Sequence, residues 1–252
     1  MAQFHFVEDY ERHVAALVAA HPIDEAMSLA VGGRYAEIGR IEAAMLQSAG
    51  LQHGMTVFYL GCGSGRLAAT LGAANLDLGY LGTDVVQALL DYAASKAPPH
   101  YRFVLHPDLS IPAADASVDL ACAFSVFTHL LHHECYVYLA EMRRVLKPGG
   151  IVVVSFLEFA APSHWNVFVA TIEAQRQSRL PALNQFIERN AIEVWAAHLG
   201  LKVERYIDGH VDTGAGPLGR YALAISVTRA PLTISSPSRR NSATISGARA
   251  AS

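Results

Sequence analysis

The stretch Val57-Phe58-Tyr59-Leu60-Gly61-Cys62-Gly63-Ser64-Gly65 is a short apolar run that ends in a turn with three alternating glycines. Without side chains at those positions a ligand can lie directly against the backbone, and glycine accepts positive φ at little steric cost. Arg66-Leu67-Ala68-Ala69-Thr70-Leu71 follows and favours a helix, so the spacing predicts strand, glycine turn and helix N-terminus, the elements of a nucleotide cradle. A dinucleotide-binding turn needs G-x-G-x-x-G, whereas here the third glycine comes one residue early and Leu67 stands near the place of the packing glycine. That spacing disfavours a pyrophosphate ligand, and with it a nicotinamide oxidoreductase, and favours a smaller nucleoside. Further along, Tyr80-Leu81-Gly82-Thr83-Asp84 is a second strand ending in an acid. The Asp84 carboxylate could accept hydrogen bonds from two vicinal ribose hydroxyls, or cap the helix that begins near Val86.

A second group of reactive side chains follows a later apolar run, in Phe124-Ser125-Val126-Phe127-Thr128-His129. An imidazole titrates near neutrality, so His129 is the best candidate for a general base, with pocket lining as the alternative. His132, His133 and Glu134 open a helix and read as solvent-facing, not as a metal site. Cys62, Cys122 and Cys135 are odd in number and lack metal-ligand spacing, so all three read as structural in a reducing cytoplasm.

The elements that must hold these residues alternate. Strands are expected near 57–60, 78–83, 101–105, 118–124 and 150–156, with helices near 65–73, 86–96 and 134–146 between them. That rhythm implies a parallel sheet covered on both faces. Residues 1–50 read as a helical cap, in which Tyr35 to Ala49 sets Ile38, Ile41 and Met45 on one face before a Gly50 stop. Residues 157–182 break the rhythm with Phe159, Trp165, Phe168, Pro162 and Pro181 and read as a lid insertion. In it, His164 and Trp165 are candidate substrate contacts, with aromatic core packing as the alternative. A helix near 183–198 and strands near 201–207 and 220–228 complete a domain over 51–229. The Ser-, Ala-, Arg-, Pro- and Gly-rich stretch 230–252 is expected to be a disordered tail.

Three stretches in register give the chain a family resemblance: the glycine turn, the strand ending in Asp84, and Arg143-Arg144-Val145-Leu146-Lys147-Pro148-Gly149-Gly150. Together they resemble the class I S-adenosylmethionine (SAM)-dependent methyltransferases, specifically the small bacterial type 11/12 enzymes. The resemblance covers about residues 30–157. It implies an α/β fold: a doubly wound, mostly parallel, seven-stranded Rossmann-like sheet with an antiparallel terminal hairpin and the N-terminal helical cap. SAM is the implied cofactor. Gly61, Gly63 and Gly65, with Tyr59 and Cys62, would face its amino-acid part, and Asp84 its ribose. Val85, Asp108 and Leu109 would meet the adenine, although Asp108 also reads as a simple turn residue. Phe124 and Ser125 would complete the cofactor contacts. The segment Ser125–Leu130 resembles the "SVFTHL" of small-molecule methyltransferases, which implies a small acceptor of the kind met in secondary metabolism. Tyr59 departs from the pattern, because relatives usually carry Asp or Glu there and a phenol brings no charge at neutral pH. Either other groups hold the cofactor, with Arg34 and Tyr35 as candidates, or its binding has weakened. A non-catalytic SAM-fold protein and a SAM-using enzyme that transfers no methyl are therefore the rival readings.

Composition narrows the class further. A chain of 252 residues with 52% hydrophobic residues can bury one sizeable core. All 22 acids lie at or before Asp212, so the body through residue 228 holds 15 bases against 22 acids. An acidic body without basic clusters is a poor partner for a phosphate backbone, so no nucleic-acid substrate is expected. No apolar run approaches the ~18 residues of a membrane span, and Met1-Ala2-Gln3-Phe4-His5 does not open a signal peptide. A cytoplasmic enzyme, possible as a homodimer, is the expectation.

Overall fold

The computed structural model describes residues 7–74, 76–177, 184–209, 211–212, 214–216 and 223–229. The expected tail at 230–252, residues 178–182 of the expected lid and residues 220–222 of the last strand lie outside them.

Three helices come first: α1 (Val7–Ala20), α2 (Ile23–Ala30) and α3 (Tyr35–Ala49). Helix α3 stops at Gly50, which takes φ 115° and donates its amide to the last turn. From residue 56 the chain alternates: β1 (Thr56–Leu60), α4 (Arg66–Ala73), β2 (Gly79–Asp84), α5 (Gln87–Lys96), β3 (Arg102–Leu105), β4 (Val118–Ala123), α6 (His132–Val145) and β5 (Leu146–Phe156). The five strands pair in parallel in the order β3-β2-β1-β4-β5. The chain winds outward in one direction through β1, β2 and β3, and in the other through β4 and β5. The carboxyl ends of β1 and β4 therefore flank the switch point, where an open α/β sheet leaves a crevice. Near-continuous apolar burial along β1 and β4 is what a sheet covered on both faces requires. Phe58, Ala121 and Val152 pack under α6, while Val57, Tyr59 and Leu120 pack under α3 and α4.

Beyond β5 follow α7 (Pro162–Arg176), α8 (Arg189–His198), β6 (Leu201–Ile207) and β7 (Leu223–Arg229). Strand β7 lies between β5 and β6 and runs antiparallel to both.

Two boundaries differ by four residues or more from the sequence expectation. Strand β5 begins directly at Leu146, not at 150, because Leu146 already pairs with Val118 before the Pro148-Gly149 bend. Helix α8 begins at Arg189, not near 183, because the preceding backbone is used elsewhere. The amide of Gln185 donates to the Thr128 carbonyl (2.7 Å) and that of Ile187 to the Leu157 carbonyl (2.7 Å). A chain pinned laterally at alternate residues cannot also close i→i−4 bonds.

Candidate active site

The glycine turn sits at the carboxyl end of β1, with φ of 67° at Gly61, 55° at Gly63 and 83° at Gly65. All three positions are also crowded. A Cβ on Gly61 would fall 2.5 Å from a Val126 methyl, one on Gly63 2.7 Å from a Val31 methyl, and one on Gly65 2.8 Å from the Ala93 Cα. Gly65 thus faces α5 and lets that helix approach. The packing job that a dinucleotide fold gives to a later glycine is done here one residue earlier. Cys62 points inward beside Gly82 with its thiol pKa pushed up by burial, so only its backbone reaches the turn. All three cysteines are buried free thiols.

Asp84 closes the floor of the crevice. Its Oδ2 accepts from the Gly63 amide (2.9 Å), and its Oδ1 from the amides of Val85 (2.8 Å) and Val86 (3.1 Å). Burial pushes its pKa above the usual carboxylate range, partly offset by those three bonds. The carboxylate ties the two residues before α5 to the glycine turn but does not cap the helix, whose N-cap Val86 has no side-chain cap bond. A carboxylate offers about four acceptor positions, which leaves one on Oδ2.

The N-terminal helices cover this floor. The Ser64 hydroxyl donates to the Met27 carbonyl (2.9 Å), and the Tyr35 hydroxyl to the Ser64 carbonyl (2.9 Å). Tyr10 of α1 donates to the Ala30 carbonyl (3.1 Å), close enough to Asp84 for the carboxylate to help raise its pKa. Val14, Met27 and Ala30 pack on Val86 and Leu89, with Val85 at the edge of the cluster.

At Tyr59 the structure supplies what the sequence reading missed. The ring is buried and meets Phe124 edge-on at 5.9 Å, and its hydroxyl lies against both Glu42 and Arg66, favouring the charged form of each. Glu42, on α3, accepts from the Arg66 Nε (2.9 Å) and NH2 (2.6 Å), and the Arg66 NH1 reaches the Val31 carbonyl (2.8 Å). Arg34, which the sequence offered as compensation, pairs instead with Glu37 at the surface. The signal for Glu42 was its phase: position 42 shares the apolar face of Ile38, Ile41 and Met45, where a charge stands out.

Beyond β3, the backbone carbonyl of Asp108 accepts from the Tyr138 hydroxyl (3.1 Å), and Leu109, Val85 and Val126 pack against one common cluster. Beyond β4, Ser125 takes φ 58°, an unusual conformation for a residue with a side chain, and its amide donates to the Ser155 hydroxyl (2.7 Å). His129 ends a single 3-10 turn, Phe127–His129, and is half-buried.

The structure brings Tyr59, the glycine turn, Asp84, Val85, Phe124 and Ser125 to one end of the sheet. His164 and Trp165, neighbours on α7, part company. His164 is 1% exposed, and its Nδ1 accepts from the Glu158 amide (3.0 Å), which puts the proton of the neutral ring on Nε2. Burial lowers its pKa, against the pull of Glu158 and Asp208. Trp165 is 48% exposed and gathers with Phe159 and Phe168. Beside them Arg189 bridges Glu158 (2.8 Å) and Asp208 (2.6 Å).

Comparison with known proteins finds similarity to methyltransferases. Residues 58–154 match the family model described as "Methyltransferase domain". A demethylmenaquinone methyltransferase of Deinococcus radiodurans is 34% identical over 133 residues, 51% of this chain and 53% of that protein. A probable SAM-dependent methyltransferase of Mycolicibacterium smegmatis is 33% identical over 103 residues, 40% of this chain and 38% of that protein. The chain thus spans about half the length, or less, of these curated relatives. Among solved structures, magnesium protoporphyrin IX methyltransferase from Synechocystis PCC 6803 with bound S-adenosylhomocysteine (SAH) superposes with a TM-score of 0.58 at 16% identity, over 81% of this chain and 86% of that one. Over its central part the chain is thus similar to SAM-dependent methyltransferases.

Proposed function

We propose that this protein transfers the methyl group of SAM to a small-molecule acceptor through an oxygen, nitrogen or carbon nucleophile. The observation that carries the reading is the glycine turn joined to Asp84 at the switch point of the sheet. There, backbone and one carboxylate meet where a nucleoside with a short amino-acid tail would fit. In this reading Gly61, Gly63 and Tyr59 take the amino-acid end, Asp84 a ribose hydroxyl, and Val85 with Leu109 and Asp108 the base. Bound SAM supplies an electrophilic methyl on a sulfonium. The protein's part is to exclude water with the cap and to hold the acceptor in line, so alignment and desolvation carry most of the rate. His129, one 3-10 turn beyond Ser125, takes the proton of a neutral hydroxyl acceptor, whereas an acidic acceptor needs positioning alone. The acidic body and the small-molecule-like β4 loop favour a small substrate over nucleic acid. The reading takes the sheet as the seven-stranded form with an antiparallel terminal hairpin, a cap over residues 1–50 and a lid near 157–182. The pairing of β7 with β5 and β6 and the covering of the turn by α1 and α2 support it.

One observation favours a second reading, a SAM-fold protein without transfer: a Val31 methyl already lies against Gly63. Calorimetric titration with SAM and SAH, followed by an SAH-release assay over a panel of phenols, amines and carboxylates, decides between them. Micromolar binding and acceptor-dependent SAH release are expected. Binding without release on any acceptor would move the case to the second reading, and absence of binding would sink the methyltransferase proposal.

A further inference from the structure

Strand β5 runs parallel to β4 and β1 and ends at Phe156, so its carboxyl end lies at the same end of the sheet as the glycine turn. Just beyond it the chain gathers four aromatic rings. Phe159 and Phe186 stack nearly parallel, with centroids 4.4 Å apart and planes 9° apart. Phe168 of α7 meets both edge-on, at 5.1 and 5.6 Å, and Trp165 lies against Phe159 and Phe168. A satellite core would close over such rings. Here Phe159 is 42% and Trp165 48% exposed, and His164 is the one buried residue of the 15 in α7. Apolar surface left open in one place marks a binding surface.

The rings also adjoin the candidate base. The segment that carries Phe186 is pinned on both sides: the Gln185 amide donates to the Thr128 carbonyl, one residue before His129, and the Ile187 amide to the Leu157 carbonyl at the end of β5. The charged groups beside the rings are engaged. Glu158 and Asp208 hold Arg189, and Glu188 accepts from the Phe159 amide (2.9 Å). Those pairs leave ring face and edge, not charge, to meet a ligand.

We propose that Phe159 and Trp165, backed by Phe168 and Phe186, form the acceptor-recognition surface, and that the acceptor is a neutral, planar aromatic molecule. The inference rests on the methyltransferase reading and narrows its acceptor. A flat ring stacks offset on an exposed ring or meets its edge, with attraction beyond the area it buries, whereas a puckered aliphatic ring of the same size gains the area alone. His164, the neighbour of Trp165, seats α7 by accepting from the Glu158 amide and so sets where Trp165 stands.

The test uses the full chain saturated with SAH and two probes, 2-naphthol and decahydro-2-naphthol, which share a carbon skeleton and a neutral hydroxyl but differ in flatness. By calorimetry the wild type is expected to bind 2-naphthol about 10-fold more tightly. In Phe159→Leu and Trp165→Leu, which keep apolar bulk, that preference should fall to within about threefold while SAH affinity stays unchanged. Phe159→Tyr and Trp165→Phe keep a ring and should retain the preference. Rings that served only to pack α7 would cost the leucine variants stability and leave the ratio of the two probes intact. Should Phe159→Leu fail to fold, the half-exposed Trp165 decides through its own pair of variants. A wild type that binds the two probes equally or binds neither, or leucine variants that keep the wild-type ratio, overturns the aromatic site and leaves the methyltransferase reading standing. A wild type that binds no SAH overturns both.

Discussion

Asp84 accepts from three amides and, in the proposed function, from a ribose hydroxyl, and its substitutions should separate the two. Asp84→Ala removes the acceptor of three amides as well as the remaining ribose position. Stability should fall by about 2 kcal/mol or more from the unpaired amides, and SAH affinity by roughly 10- to 100-fold. Urea denaturation and calorimetry read the two separately, and an unchanged midpoint would show that the amides have found water instead. His129→Ala should lower turnover on hydroxyl acceptors and leave SAH affinity unchanged, and an equal loss of binding would place His129 at the cofactor. His164 carries a pH signature. Its folded pKa lies below the ordinary histidine value of 6.5 because burial disfavours the charged ring, so the unfolded chain binds the extra proton. The stability it contributes is therefore present above pH 6.5 and is lost as the pH falls below that value toward the folded pKa. Thermal unfolding between pH 7.5 and 5 should show the loss, and His164→Phe should flatten it. At this scale the glycines and Asp84 were legible in the sequence because their roles are local and tied to backbone geometry. Glu42 was marked only by its phase on the apolar face of α3, and its pairing with Arg66, 24 residues away, was not legible.

At the scale of elements, legibility followed the same divide. Helix α3 was read to its ends because period and stop signal agree, and β1 to β4 came within a residue or two because apolar runs between turn residues locate themselves. The start of α8 was misplaced because Gln185 and Ile187 give their amides to neighbouring segments, a tertiary use that overrides helical propensity. The α4–α5 contact offers a test. Gly65→Ala must hold φ near 83° and place a Cβ 2.6 Å from that of Ala93. Strain and overpacking together should destabilise the fold by about 2–4 kcal/mol. Combining it with Ala93→Gly should recover only the part due to the Ala93 Cβ, because the Ala93 Cα stays 2.8 Å from the added methyl, and full recovery would show that neither that contact nor backbone strain contributes.

For the molecule as a whole, the cap and the sheet divide the labour. The sheet presents backbone amides and Asp84, while the cap brings Tyr10, Met27, Val31, Tyr35 and Glu42 across them. In the proposed function, ligand entry requires the segment around 26–35 to lift. Hydrogen exchange should find the amides of α2 and residues 31–35 opening faster than those of β1 and β4, with SAH slowing the former selectively. At a hundredfold excess over its Kd, SAH should also stabilise the fold by about 2.7 kcal/mol.

In the proposed function, the methyl of Val31 beside Gly63 acts as an intramolecular competitor for the glycine turn. It is present at the effective concentration of a tethered group, and it must leave before anything else lies there. The measured affinity for any ligand of the turn is then its intrinsic affinity scaled down by the fraction of molecules in which Val31 has withdrawn. Val31→Ala shortens the competitor without touching the ligand's own contacts, so it should bind SAH more tightly than the natural chain.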